Sequence, residues 1–318
     1  MFRRWERPDY ALTAGQYCYD RLNETLKREE FYFNCGASLL KGYYYCSEGV
    51  DKLIVLVHGY RSGADDFLPM IDCFVKSGFN VFCYDATGVY DSKGRSTIGM
   101  CQALVDLDNC LNYLKSSPKF SLQSLYLVGH SLGGYAVSSV LALHKNVKAC
   151  VALAPLNNGA TIMVEKGREY IGRLANLYKP FICLMQKMRF GDYVNYDGIG
   201  GINSVKVPVL IVQGSQDKVV KIDKTSIMAK RKQIINPNVQ YLEIRGVRGG
   251  HNELWHSKRS VDYQNQIKQG LKSARKQKGR RLTYQEKKDY YKGVDNALYS
   301  QVSKSLMSKI TKFFSAAV

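Results

Sequence analysis

Short apolar runs recur along this chain, separated by stretches whose apolar residues repeat every three or four positions. Residues 52–58, 79–85, 124–129, 147–154, 207–214 and 239–244 are the runs. They predict strands, and the near-continuous apolar character of 52–58 is that of a strand covered on both faces rather than one with a wet face. Between them, 63–77 and 132–144 predict helices, and 97–115 places Leu104, Leu107, Leu111 and Leu114 on one face of an amphipathic helix. Residues 31–34 and 39–46, aromatic-rich around Cys35-Gly36-Ala37-Ser38, predict an antiparallel hairpin ahead of this alternation. Repeated strand-helix alternation implies right-handed crossovers and a mostly parallel, doubly wound α/β sheet.

Two intervals break the rhythm. Residues 155–206 are too long for a simple connection and carry helical patterning at 170–178 and 180–188, then the glycine-rich Asp197-Gly198-Ile199-Gly200-Gly201. They predict a small helical lid over the sheet edge. After 252 comes a basic helical stretch and then one amphipathic helix over 294–314, with Leu298, Val302, Leu306, Ile310 and Phe313 on one face. The expected organisation is an N-terminal helical segment, 1–30, and an α/β domain, 31–318, with a lid insertion at 156–205 and a basic helical insertion at 253–290.

Composition narrows the class. With 318 residues, 45% hydrophobic and 23% charged, the chain is neither collagen-like nor wholly disordered. The arginines near the start are not followed by an apolar run, so a secretory signal is not expected, and no aliphatic stretch approaches the roughly 20 residues of a membrane-spanning helix. Nine cysteines without a CxxC pair read as reduced thiols in a cytoplasmic protein, and neither cysteines nor histidines show zinc-ligand spacing. The net charge is +19, and residues 252–318 hold 15 Lys and Arg against 5 Asp and Glu. That bias implies an attraction to anionic partners, centred on the run from Lys272 to Arg281.

The chemistry is concentrated in Gly129-His130-Ser131-Leu132-Gly133-Gly134, which sits directly between a predicted buried strand and a predicted helix. A serine flanked by glycines at a strand-to-helix turn is the nucleophile elbow, its hydroxyl raised above the sheet edge by strained backbone. A serine hydroxyl needs a base to take its proton. Asp217, in Gly214-Ser215-Gln216-Asp217, follows a buried strand, and His251, in Gly249-Gly250-His251-Asn252, follows the last one. Ser131, Asp217 and His251 thus fall in the order serine, acid, histidine, with His256 the weaker alternative for the base. The N–H groups of Leu132 and of Tyr60, in His58-Gly59-Tyr60-Arg61-Ser62-Gly63, are the candidate oxyanion donors.

Together these motifs resemble the α/β-hydrolase superfamily, and within it the serine aminopeptidase and monoacylglycerol lipase-like branch, over roughly residues 31–252. The resemblance implies the α/β-hydrolase fold, with a helical lid insertion and a C-terminal helical extension. It also implies Ser131, Asp217 and His251 as a triad, Tyr60 and Leu132 at the oxyanion hole, and no cofactor. In two places the chain departs from the pattern. Asp85-Ala86-Thr87-Gly88 is separated from Gly94-Arg95-Ser96, where relatives keep such residues close together, and a basic stretch intervenes between His251 and the final helix. The expected activity is carboxylic ester hydrolysis of a small acyl ester, with Ile182, Leu184 and Met185 as apolar lid residues. An aminopeptidase, for which Glu165, Glu169, Asp192 and Asp197 are the lid's candidate amine anchors, and an acyltransferase are the alternatives on the same fold. A module binding an anionic partner through the basic tail is the non-enzymatic one.

Overall fold

The structure, a computed structural model, describes residues 3–14, 18–22, 24–47 and 49–317. One eight-stranded sheet organises them. In chain order its strands are β1 (Glu29–Cys35), β2 (Ser38–Tyr45), β3 (Lys52–Val57), β4 (Asn80–Tyr84), β5 (Ser124–His130), β6 (Val147–Leu153), β7 (Val209–Gly214) and β8 (Val239–Ile244). In space they run β1-β2-β4-β3-β5-β6-β7-β8. β1 and β2 form the hairpin and β2 joins β4 antiparallel, while every pairing from β4 to β8 is parallel. The central register sets Val55 beside Leu127, and Leu127 beside Cys150. The inner strands β3, β4, β6 and β7 are almost wholly buried because both faces are covered, whereas β8, at the sheet edge, exposes Gln240, Tyr241 and Glu243.

The helices divide between the faces. On one lie α2 (Gln102–Ser116), α3 (Leu132–Ser139) and α6 (Gly198–Asn203), burying Leu104, Leu107, Leu111 and Ile202. On the other lie α1 (Leu68–Lys76) and α10 (Lys304–Ser315), where Phe314 packs against Tyr126 with ring centroids 4.8 Å apart. The remaining helices are α4 (Gly159–Ile171), α5 (Lys179–Phe190), α7 (Lys258–Lys278), α8 (Tyr284–Lys292) and α9 (Asn296–Tyr299).

Several elements differ from expectation for identifiable reasons. The single final helix is broken into α9 and α10: residue 302 bridges His256, the Ser303 N–H bonds to the Trp255 carbonyl, and the Ser303 side chain caps α10 at Leu306. The helix expected from residue 97 starts at 102, because Ile98 takes a positive φ of 54°. The glycine-rich 197–201 segment is core rather than lid. Asp197 caps α6 through the Gly200 N–H, and a Cβ on Gly201 would lie 2.1 Å from the Ser138 carbonyl oxygen of α3. In the N-terminal segment the helices among the described residues are two 3-10 turns, Tyr10–Leu12 and Tyr19–Arg21, before β1 begins at Glu29, and residues 1–2, 15–17 and 23 lie outside the described ones. Its backbone groups are spent on the loop after β4 instead: the Trp5 N–H bonds to the Gly88 carbonyl and the Tyr90 N–H to the Trp5 carbonyl.

In the basic stretch, Glu286 accepts from Arg280 at 2.8 Å and pairs with Lys278 at 3.4 Å while completing a capping box with Thr283. Part of the charge run is therefore neutralised within the chain. No helix of the structure is long and apolar enough to cross a membrane.

The close approach of α6 and α3 gives a direct test. Gly201→Ala forces the two backbones apart and should cost about 1–3 kcal/mol, as overpacking typically does. A thermal melt by circular dichroism unchanged from that of the parent protein would show that the contact is not tight.

Candidate active site

Ser131 is the first residue past β5 and the N-cap of α3, with φ 57° and ψ −113°. A side chain rarely adopts that conformation, and holding it costs about 1–3 kcal/mol. The two flanking glycines make the turn sterically possible. A Cβ on Gly129 would lie 2.2 Å from the Gly133 oxygen, and a Cβ on Gly133 would lie 2.1 Å from the Val57 oxygen. The Ser131 N–H bonds to the Leu153 carbonyl at 2.8 Å, which pins the turn to the neighbouring strand end.

The structure brings together all three residues of the candidate triad. His251 Nε2 stands 2.9 Å from Ser131 Oγ, and His251 Nδ1 stands 2.7 Å from Asp217 Oδ2. Nδ1–H donating to the carboxylate leaves the Nε2 lone pair facing the serine hydroxyl. Asp217 is buried, and its other oxygen accepts from the Val219 and Val220 N–H groups, each at 2.8 Å. Its orientation is thereby fixed without a cation beside it.

Two positioning residues escape the sequence reading. Gln213 donates through Nε2 to Asp217 Oδ2 at 2.8 Å and accepts from the Ser226 hydroxyl at 2.7 Å. The available signal was a lone polar residue in an otherwise aliphatic strand. His130 donates through Nε2 to the His251 carbonyl at 3.0 Å, holding the backbone of the base. Burial, helped by the neighbouring His251, lowers its pKa to about 3, so it stays a neutral donor. His256, the weaker candidate base, is buried and stacks on Trp255 instead, with its Nδ1 unpartnered.

Tyr60 follows β3 in a turn that abuts the serine: a Cβ on Gly59 would lie 3.3 Å from Ser131 Cβ. Behind it His58 donates from Nδ1 to the Gly59 carbonyl at 2.8 Å and accepts the Ala86 N–H at Nε2, 3.0 Å away. Tyr60 and Leu132 also border a small pocket of about 20 Å³ that reaches Ala86, Thr87 and Thr97. The altered 85–96 loop thus forms one wall there. It is pinned by Asp106, which accepts from the Thr87 N–H and hydroxyl, both at 2.7 Å.

The larger space is a cleft of about 690 Å³ that contains Ser131 and His251. Its far wall is α7 to α9, through Ile267, Lys268, Leu271, Tyr291 and Tyr299, and Leu12 to Ala14 close one end. No described residue of 156–205 lines it. Helices α4 and α5 pack instead over the 98–100 loop, with Arg189 bonded to the Ile98 carbonyl and Phe190 against Gly99, and they leave Leu177 and Met188 about three-quarters exposed. Ile182 and Met185 are partly buried there and Leu184 is exposed, so the expected apolar lid does not line the serine's cleft. That role falls to the basic C-terminal insertion.

The serine aminopeptidase S33 family model matches residues 48–192. The esterase Pf2001 of Pyrococcus furiosus superposes with a TM-score of 0.57 at 21% identity, over 78% of this chain and 91% of that one. The chain has the α/β-hydrolase fold. Est1E of Butyrivibrio proteoclasticus, solved with ferulic acid bound, shares the fold at a TM-score of 0.54 and 20% identity, over 70% of this chain and 90% of its own. Among curated proteins, the chain is 24% identical over 157 residues to protein phosphatase methylesterase 1 of Candida albicans, covering 49% of this chain and 43% of that one. It is 26% identical over 162 residues to a proline iminopeptidase of Saccharolobus solfataricus, covering half of each. The chain spans about half the length of these curated relatives.

Burial lowers the His58 pKa to about 4, whereas an unfolded histidine titrates near 6.5. Between those values the unfolded chain binds more protons, so the contribution of His58 is present above pH 6.5 and is lost on acidification. The unfolding free energy of the parent minus that of His58→Gln should therefore fall by about 1.4 kcal/mol per pH unit between pH 6 and 4.5. A difference independent of pH in denaturant titrations would contradict the burial of a neutral ring.

Proposed function

We propose that this protein is a serine hydrolase that cleaves a carboxylic ester through a covalent acyl-enzyme on Ser131. The observation that carries the reading is the unbroken relay from Asp217 Oδ2 through His251 to Ser131 Oγ, at 2.7 and 2.9 Å, opening into a cleft that can hold a small molecule.

The steps follow from the geometry. His251 Nε2 takes the hydroxyl proton as Oγ attacks the ester carbonyl, and Asp217 stabilises the imidazolium that forms while keeping its tautomer. Negative charge gathers on the carbonyl oxygen, for which the Tyr60 and Leu132 N–H groups are the proposed donors. His251 returns the proton to the leaving alcohol, the tetrahedral species collapses to the acyl-serine, and a water activated by the same imidazole releases the acid.

The named relatives include both a methylesterase and an iminopeptidase, so the arrangement of acids favours one over the other. An aminopeptidase needs a carboxylate free to hold the substrate's ammonium group. Glu165 is buried against Arg168 and Lys221, Glu169 pairs with Lys166, Asp192 pairs with Lys187, and Asp197 caps α6. None of the four lines the cleft. A cytoplasmic setting belongs to the same proposal, resting on nine cysteines that are all free thiols.

Turnover of p-nitrophenyl butyrate tests the reading. Ser131→Ala should abolish it, and Asp217→Asn, which presents the wrong tautomer partner to His251, should lower kcat by about 10⁴-fold with little change in KM. A Ser131→Ala protein as active as its parent, or aminoacyl amides cleaved faster than the ester, would sink the proposal.

A further inference from the structure

Behind the 255–257 turn lies a second depression, of about 400 Å³, which does not reach the Ser131 cleft's nucleophile. Its charged lining is Arg248, Lys258, Arg259 and Lys304, with serines 257, 303 and 305 between them. No carboxylate lines it, and among the described residues none of the four cations has an ion pair. Asp262, one turn further along α7, is exposed and pairs with none of them. Other cations of this chain do find partners, as Arg7, Arg28, Lys41 and Arg280 do.

Four unpaired cations in one concavity repel one another, and the arrangement is not slack. The strands entering α7 and α10 run side by side, with the Ser257 N–H on the Gln301 carbonyl at 2.8 Å and a bridge between His256 and residue 302. Arg248 is held by its bond to the Leu254 carbonyl at 2.8 Å, and its Nε is buried without a partner. Partial burial of a guanidinium disfavours its charge, a cost that an anion beside it offsets. Lys258, Arg259 and Lys304 are exposed on its lining, and planar guanidinium groups match the oxygen geometry of phosphate.

We propose that this pocket binds the phosphate group of a small phosphorylated molecule through Arg248, Lys258, Arg259 and Lys304, separately from the esterase reaction. The inference stands on the charge distribution around 248–259 and 301–305 and does not require Ser131 to act as a nucleophile. Its position gives it a consequence. The pocket joins α7, which walls the cleft, to α10, which packs on the sheet, so an occupied site fastens the cleft wall to the core.

Calorimetric titration of the full chain with inorganic pyrophosphate and with glycerol 3-phosphate, at ionic strength held constant with sodium chloride, tests this. One ligand per chain is expected, with affinity weakened about tenfold or more in Arg259→Gln/Lys304→Gln, equivalent to about 1.4 kcal/mol. Arg275→Gln/Lys276→Gln, which removes as much charge from the exposed end of α7, should leave the affinity within about twofold, because screened charges at a distance contribute little. Binding of pyrophosphate but not of glycerol 3-phosphate points to a free inorganic anion as the ligand and overturns the phosphomonoester assignment. Absence of saturable binding, or equal weakening by both double variants, overturns the site. p-Nitrophenyl butyrate turnover by the same preparations reports independently on the ester-hydrolase reading.

Discussion

Everything in the candidate active site depends on one strained residue, Ser131, held at φ 57° between the end of β5 and the start of α3. The strain is maintained because the two glycines let the backbones of 129, 133 and 57 close to distances that any side chain would block. The sheet order then does the rest: β3, β5, β7 and β8 all deliver their carboxyl ends to the same edge, so Tyr60, Ser131, Asp217 and His251 meet although 191 positions separate the first from the last in numbering.

Two buried carboxylates near that point are matched by donors. Asp85 accepts from the Ala64 N–H and the Tyr43 hydroxyl, and burial pushes its pKa up to about 7 despite Arg7 nearby. Asp65 takes both Arg7 and Arg28. These clusters tie the N-terminal segment and the loop after β4 to the turn at 62–66, which adjoins Tyr60. The loop that departs most from the family pattern is therefore also one of the most heavily cross-linked, and it is built to keep one shape.

Much of this was legible from residue order. Near-continuously apolar strands such as 52–57 announced a mostly parallel sheet, and the candidate elbow, acid and base could be proposed because each follows a recognisable strand. What could not be read depends on contacts distant in sequence. Nothing in the basic stretch 258–299 says that Ile267, Leu271 and Tyr299 would face the serine, since their spacing alone is that of any amphipathic helix. The segment 156–190 had a lid's composition, but its packing on the 98–100 loop is fixed by partners such as Gly99 and Phe190. The broken final helix shows the same limit: helical periodicity continues through residue 302, and a bridge to His256 overrides it.

The central claim is that the backbone at residue 131 presents an activated hydroxyl. Its most direct test is reaction of the native protein with a fluorophosphonate, followed by intact-mass measurement and peptide mapping. The account predicts a single adduct on Ser131, formed at a rate that collapses in His251→Ala. An unlabelled protein, or an adduct on any other serine, would contradict it.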